Sequence, residues 1–264
     1  MSKAGITIFA ADAELGQAAA HEIFDGIQDS EKQGRNYVLG CPGGRSPRST
    51  YRALATLVSA KKQSIRHLYI AMMDEYAVEL PDGEFQNVDA NSHFSCRGFA
   101  FREIRDVLNE GLELNLQLPY EHVLVPDAAD PEAYEDQLRA LGVDCFLLAS
   151  GATDGHVAFN GKGTKRSSTT RVTALAEETR RDNMHTFPDF KSLEEVPTYG
   201  VTVGPATIAS ISKKAIMLLQ GEHKREAFRR ISSAERYDPN WPATIIIECH
   251  NPQIFADSNV TKSI

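Results

Sequence analysis

The sequence predicts an α/β fold: three αβα layers, with a mainly parallel, twisted sheet and helices on both faces. Three observations lead there. Apolar runs of strand length alternate with amphipathic stretches along the whole 264-residue chain. The run "DCFLLAS" is apolar at successive residues rather than alternate ones, as in a strand covered on both sides. No linker, low-complexity tract or internal repeat interrupts the series, so residues 1–264 read as a single domain. Helical crossovers between such strands imply parallel pairing, because a tight turn joins only antiparallel neighbours.

Each element follows in order. "ITIF" is a strand, and "ADAELGQAAAHEIFDGI" an amphipathic helix with Asp12 as its expected N-cap. "NYVLGC" is the second strand, followed by a glycine-rich turn and the helix "STYRALATLVSAKK". "LYIAMM" is a strand, "FSCRGFAFREIRDVL" a helix, "EHVLVP" a strand, "PEAYEDQLRALG" a helix and "DCFLLAS" a strand. "YGVTVG" and "KAIMLLQG" read as strands, "HKREAFRRI" as a helix and "ATIIIECH" as the last strand.

Composition narrows the class. Hydrophobic residues make up 42% and charged residues 24%, ordinary for a globular protein with a sizeable core. No apolar run approaches the ~20 residues that cross a bilayer, so no membrane partner is expected. The start "MSKAGITIFA" lacks an export signal, which points to a cytoplasmic protein. Cys41, Cys96, Cys145 and Cys249 show no C-x-x-C spacing and read as reduced core residues rather than disulfides or zinc ligands. A net charge of −8 argues against nucleic acid, whose phosphates demand a basic face. Locally, "GGRSPRST" carries two arginines and no acid, which suits a small anion.

Ligands of such folds bind beyond the carboxyl ends of the strands, and four strand ends carry chemistry. In "LGCPGGRSPRSTY", Gly43 and Gly44 end a strand and Ser46–Pro47 opens a helix. Backbone N–H groups at a helix start attract an anion, and Arg45 and Arg48 add to the attraction. In "AMMDEYAVELP", Asp74 and Glu75 are successive strand residues, so one carboxylate faces the cleft and the other faces away. In "LLASGATDGHVAFNGKG", Asp154 and His156 lie just past a buried strand between Gly151 and the rest of the loop. A carboxylate beside an imidazole raises its basicity and fixes its tautomer, as a general acid/base needs. In "LLQGEHKREAF", Lys224 enters a helix just after Gly221, where a cation reaches an anion held among the strand ends. Glycines also occur in ordinary turns, and lone histidines or lysines are more often structural or solvated. The convergence of two acid/base candidates and two cationic elements on one edge favours proton transfer on a small phosphorylated metabolite. No G-x-G-x-x-G, Walker or H-E-x-x-H motif supports a nucleotide cofactor or zinc.

At these residues the chain resembles the glucosamine-6-phosphate deaminase/isomerase family, related to the 6-phosphogluconolactonases. The likeness runs from "ADAELGQAAA" to about Cys249; "MDEY" and "DGHVAFN" match the deaminase branch, where lactonases show "DER" and "DGHTASLF". "YGVTVGPATIASISKKAIMLLQGEHK" also resembles the family pattern. The resemblance implies a modified Rossmann-like (NagB-like) fold and a mechanism for an amino-hexose 6-phosphate. His156, held by Asp154, shuttles the ring-oxygen proton. Asp74 moves a proton between neighbouring carbons, and ammonia leaves a ketose phosphate. Each step is proton transfer, so the resemblance implies no redox cofactor and no metal. It places Gly44, Arg45, Ser46 and Lys224 at the phosphate. Its members range from monomers to hexamers, so a homo-oligomer is compatible with it.

Three departures stand out. Gly161, followed by Lys162, replaces the glutamate that completes the family's ring-opening triad; a water or Lys162 is the candidate substitute. His185 stands where the family has a phosphate-binding arginine. Arg45 stands where the family has glycine, which shifts the expected direction of anion binding. Arg171 matches an allosteric arginine, but Thr173 replaces the lysine two residues later, so activation by an acetylated sugar phosphate is not expected. Two alternatives compete: a sugar-lactone hydrolase, which needs no triad, and a non-catalytic sugar-phosphate sensor, which no helix-turn-helix segment accompanies.

Overall fold

The computed structural model describes residues 4–262. A seven-stranded sheet forms the middle layer. Its spatial order is β1 (Gly5–Phe9), β11 (Pro252–Asp257), β10 (Ala215–Leu219), β7 (Cys145–Ala149), β2 (Tyr37–Cys41), β3 (Leu68–Met72) and β6 (Val123–Leu124). Every pairing in it is parallel. Successive residues of the central strands feed two separate cores. Cys145, Leu147, Ile216 and Leu218 join the core beneath α1 (Asp12–Lys32) and α2 (Arg48–Lys61). Phe146, Leu148, Ala215, Met217 and Leu219 join the core beneath α5 (Pro131–Leu141), α7 (Pro205–Ile211) and α8 (Arg225–Ser232). This is why "DCFLLAS" is apolar at every position: both faces are dry.

A second sheet is antiparallel, in the order β5 (Phe85–Asn87), β4 (Asp74–Glu79), β9 (Tyr199–Thr202) and β8 (Arg171–Ala174). "YGVTVG" therefore contributes to this smaller sheet and not to the parallel one. Met73 couples the two sheets: its N–H donates to the Cys41 carbonyl at 3.1 Å, and its own carbonyl accepts from Val203 at 2.8 Å. Asp74 thus sits at the junction.

Several elements differ from the sequence expectation. The run "ATIIIECH" forms a 3₁₀ helix, Pro242–Glu248, and the last strand is the following Pro252–Asp257. Pro242 fixes φ and lacks a donor, which suits a helix start and weakens a central strand. Ile245 and Ile246 are fully buried there, so burial alone gave no sign of the period. Asp12 is the first residue of α1 rather than its cap; Ala11 holds the cap position, and Asp12 accepts from the Ser49 hydroxyl at 2.9 Å. The helix expected from Phe94 is capped by Ser95 and runs as α3 (Cys96–Phe99), a π turn (Ala100–Arg105) and α4 (Asp106–Asn109). The sequence gives no clear period for β8 or for α6 (Glu177–Thr186), whose residues are mostly polar. The last element among the described residues is α9 (Ser258–Thr261). Among the described residues, no helix is long and apolar enough to cross a membrane.

Candidate active site

The carboxyl ends of β2, β7 and β10, the start of β4 and the inner side of α6 surround a cleft of about 270 Å³. Gly44, Arg45, Ser46, Asp74, His156 and Lys224 all line it. Asp154 does not; it lies behind His156.

The two carboxylates of "MDEY" part company as strand alternation requires. Asp74 turns into the cleft, only 6% exposed. Glu75 turns away and anchors α3: it accepts from the N–H groups of Cys96 (2.9 Å) and Arg97 (2.8 Å), the Ser95 hydroxyl (2.8 Å) and Tyr76 N–H (2.8 Å). Through that anchor Cys96 comes within 3.3 Å of Asp74, its thiol donating to Oδ1. Burial pushes the Asp74 carboxyl up to about 7, partly countered by the Cys96 hydrogen bond and by His156, and reinforced by the Glu75 charge. A carboxyl poised there takes and returns protons near neutrality.

The loop after β7 brings Asp154 and His156 together. His156 Nδ1 lies 2.9 Å from Asp154 Oδ1 and 3.0 Å from Oδ2. This pairing leaves Nε2 as the ring nitrogen free for a substrate. Thr179 of α6, 2% exposed, donates its hydroxyl to Asp154 Oδ2 at 3.2 Å. Burial pushes Asp154 up, but the hydrogen bonds and charge of His156, with Thr179, more than offset it and hold the carboxyl at about 2. Two glycines make this loop possible. A Cβ on Gly151 would sit 2.0 Å from Asp154 Oδ1 and 2.4 Å from His156 Nδ1. Gly155 has φ +64°, and a Cβ there would run into the Trp241 ring at 2.2 Å. Neither position tolerates a side chain.

The far end of the cleft is cationic. The β2–α2 loop is pinned by the Tyr51 hydroxyl on the Pro42 carbonyl at 2.9 Å, and Gln220 binds the Ser46 carbonyl. Pro47 takes the cap position of α2, one residue before the first helical residue, Arg48. Lys224 is buried and donates to the Ser150 carbonyl, which joins the third and fourth strand ends. Burial lowers its pKa, Asp182 counteracts this, and Arg45 adds to it. Arg45 reaches across the mouth to Asp182 of α6, with Nη2 3.4 Å from Oδ1. Tyr76, Phe159 and Phe187 form an aromatic wall, with Tyr76 and Phe159 centroids 5.0 Å apart.

The departures resolve in space. Gly161 faces Ala176, whose Cβ would lie 3.4 Å from an added Cβ, and Lys162 is exposed and outside the cleft lining. Thr179, not Lys162, is the additional protein partner of the Asp154–His156 pair. His185 is exposed and lines a separate cavity of about 230 Å³ on the other side of Asp154. What α6 presents to the cleft instead is Asp182, Asn183 and Thr186. Thr179, Asp182 and Cys96 escaped sequence reasoning because no strand-end rule points to them and each arrives by packing of a distant segment. His223 lies in the strand-end stretch "LLQGEHKREAF" itself, where sequence reasoning favours its neighbour Lys224. Among the described residues, no group of three or more His, Cys, Asp or Glu is arranged to hold a metal ion.

Comparison with known proteins places this geometry. Residues 10–255 match the family described as glucosamine-6-phosphate isomerases/6-phosphogluconolactonase, and the chain belongs to that family. It is 34% identical to a glucosamine-6-phosphate deaminase of Shouchella clausii over 94% of this chain and 93% of that one. It is 32% identical to the Bacillus pumilus deaminase over 79% of this chain and 80% of the other. A solved monomeric glucosamine-6-phosphate deaminase, described as a missing link of the NagB superfamily, superposes with a TM-score of 0.81 at 26% identity, covering 97% of this chain and 98% of that chain. The 6-phosphogluconolactonase of Leishmania guyanensis shares the fold, with a TM-score of 0.72 at 17% identity over 100% of this chain and 99% of that one.

Proposed function

We propose that this protein isomerises and deaminates an amino-hexose 6-phosphate, glucosamine 6-phosphate or a close relative, to a ketose phosphate and ammonia. The carrying observation is that Asp74 and His156 line one cleft whose far end holds Lys224 and the Gly44–Ser46 turn. In this reading the phosphate lies on Lys224, Arg45, Ser46 and the Gly44 backbone. His156, oriented by Asp154, takes the anomeric hydroxyl proton and returns one to the ring oxygen, breaking the ring C–O bond. Asp74 then removes the proton from the amine-bearing carbon and delivers it to the neighbouring carbon. The resulting ketimine adds water and loses ammonia. Burial suits Asp74 to this shuttle: a carboxyl near pH 7 gives up its proton as readily as it takes one.

A lactone hydrolase is the second reading, favoured by the missing carboxylate at Gly161, since water activation needs only the Asp154–His156 pair. One assay separates the two. Pure protein is given glucosamine 6-phosphate, galactosamine 6-phosphate and 6-phosphogluconolactone, and ammonia and acid release are followed. Ammonia from either amino sugar supports the proposal, and acid from the lactone alone overturns it in favour of the hydrolase.

A further inference from the structure

The cationic end of the cleft contains its own anion. Asp182 projects from α6 into the same cleft as Arg45, His223 and Lys224. Its contact with Arg45 spans 3.4 Å between partly exposed side chains, 48% and 33% accessible, a weak hold that a better ligand breaks. This is the single side-chain hydrogen bond of Arg45 among the described residues, so most of its five donors stay unused. Lys224 likewise spends one donor on the Ser150 carbonyl, and its ammonium feels the Asp182 charge. The His223 ring packs against Gly221 and has no hydrogen-bond partner among the described residues. The other rim carboxylate, Asp12, is engaged by the Ser49 hydroxyl instead.

We propose that Asp182 is a built-in competitor for the substrate's phosphate: it occupies Arg45 in the free protein, gives way to the incoming anion, and thereby sets how weakly the cleft binds phosphorylated sugars. The proposal rests on the sugar-phosphate reading above and adds a specificity-determining residue to it. A phosphate takes two donors of a guanidinium side by side where Asp182 takes one, so the exchange is favourable. The displaced carboxylate remains on α6 at the mouth, and two anions sharing one set of cations repel. Removing the Asp182 charge should therefore tighten binding, the reverse of what deleting a cleft residue ordinarily does.

The test is a double-mutant cycle on Arg45 and Asp182, read in two ways: KM for glucosamine 6-phosphate, and Kd for inorganic phosphate by calorimetry. Asp182→Asn should lower both constants on the order of three- to tenfold, with the effect on KM rather than kcat, and the gain should shrink as salt rises. Arg45→Ala should raise both about twofold in the native background and tenfold or more beside Asp182→Asn, because Arg45 is then free to act. Asp182→Glu should keep the native behaviour, and Asp12→Asn should show no coupling to Arg45. Equal effects of Arg45→Ala in both backgrounds, or unchanged or weaker binding in Asp182→Asn, overturn the proposal while leaving the sugar-phosphate reading intact. If neither phosphate nor any sugar phosphate binds the native protein or Asp182→Asn, both fall together.

Discussion

Asp74 and Asp154 are the same residue type within one site, and the protein drives them in opposite directions. Asp74 is buried at the junction of two sheets, with a weak thiol donor, and sits at about 7. Asp154 is also largely buried but faces an imidazole and a hydroxyl, and sits at about 2. Burial raises both, more completely at Asp74, where the Glu75 charge adds to it; at Asp154 the imidazole and hydroxyl aimed at the carboxylate outweigh it. In the proposed mechanism one carries a proton and the other is the permanent charge that orients a histidine.

The sharpest way to break this contrast is Asp74→Asn. Turnover should fall by roughly 10³-fold or more, with ligand binding largely kept. The same variant should be more stable than the native protein at pH 8, by about 1–3 kcal/mol, because a raised carboxyl is costly to ionise in the fold. That difference should shrink as pH falls from about 7 towards about 4 and vanish below about pH 3, where the carboxyl is protonated in folded and unfolded chains alike. Paired denaturant titrations at both pH values read it. A variant that loses activity without gaining stability would show that Asp74 is not strained by burial.

Next in size are His156→Gln and Asp154→Asn, each expected to cost about 10²–10³-fold in kcat. Asp154→Asn should do so with KM little changed, since Asp154 does not line the cleft. A smaller effect belongs to the pH profile. kcat/KM should rise through about pH 7 as Asp74 loses its proton, and Cys96→Ala should move that limb upward, since the thiol stabilises the charged form. A shift of about half a pH unit is expected. A limb that stays put in Cys96→Ala would remove the thiol from the tuning of Asp74. The smallest effect is Thr179→Val, about two- to fivefold in kcat, because Asp154 keeps its bond to His156 and stays ionised at neutral pH. Asp154 stabilises the fold above its ordinary pKa and loses that contribution as pH falls towards 2. In Thr179→Val the loss should be smaller in total and complete at a higher pH, visible as a shallower fall of stability in denaturant titrations between about pH 4 and about pH 2.

Strand and helix alternation, the fully apolar run "DCFLLAS" and the motifs at four strand ends are written into the chain, because a period of apolar residues records which faces must leave water. From them follow the parallel sheet, the covered faces and the gathering of Asp74, His156, Lys224 and the Gly44–Ser46 turn at one edge. The apolar run "ATIIIECH" shows where that signal stops: a buried helix and a buried strand are equally hydrophobic, and Pro242 with its surroundings decided for the helix. Tertiary structure alone decided the second sheet, the placing of Cys96 by Glu75, and the arrival of Thr179 and Asp182 on a helix too polar to announce itself. The reason is the range of the forces involved. Hydrophobic periodicity is local in sequence, whereas desolvation and charge act through space, and Asp182 meets Arg45 across 137 positions of chain.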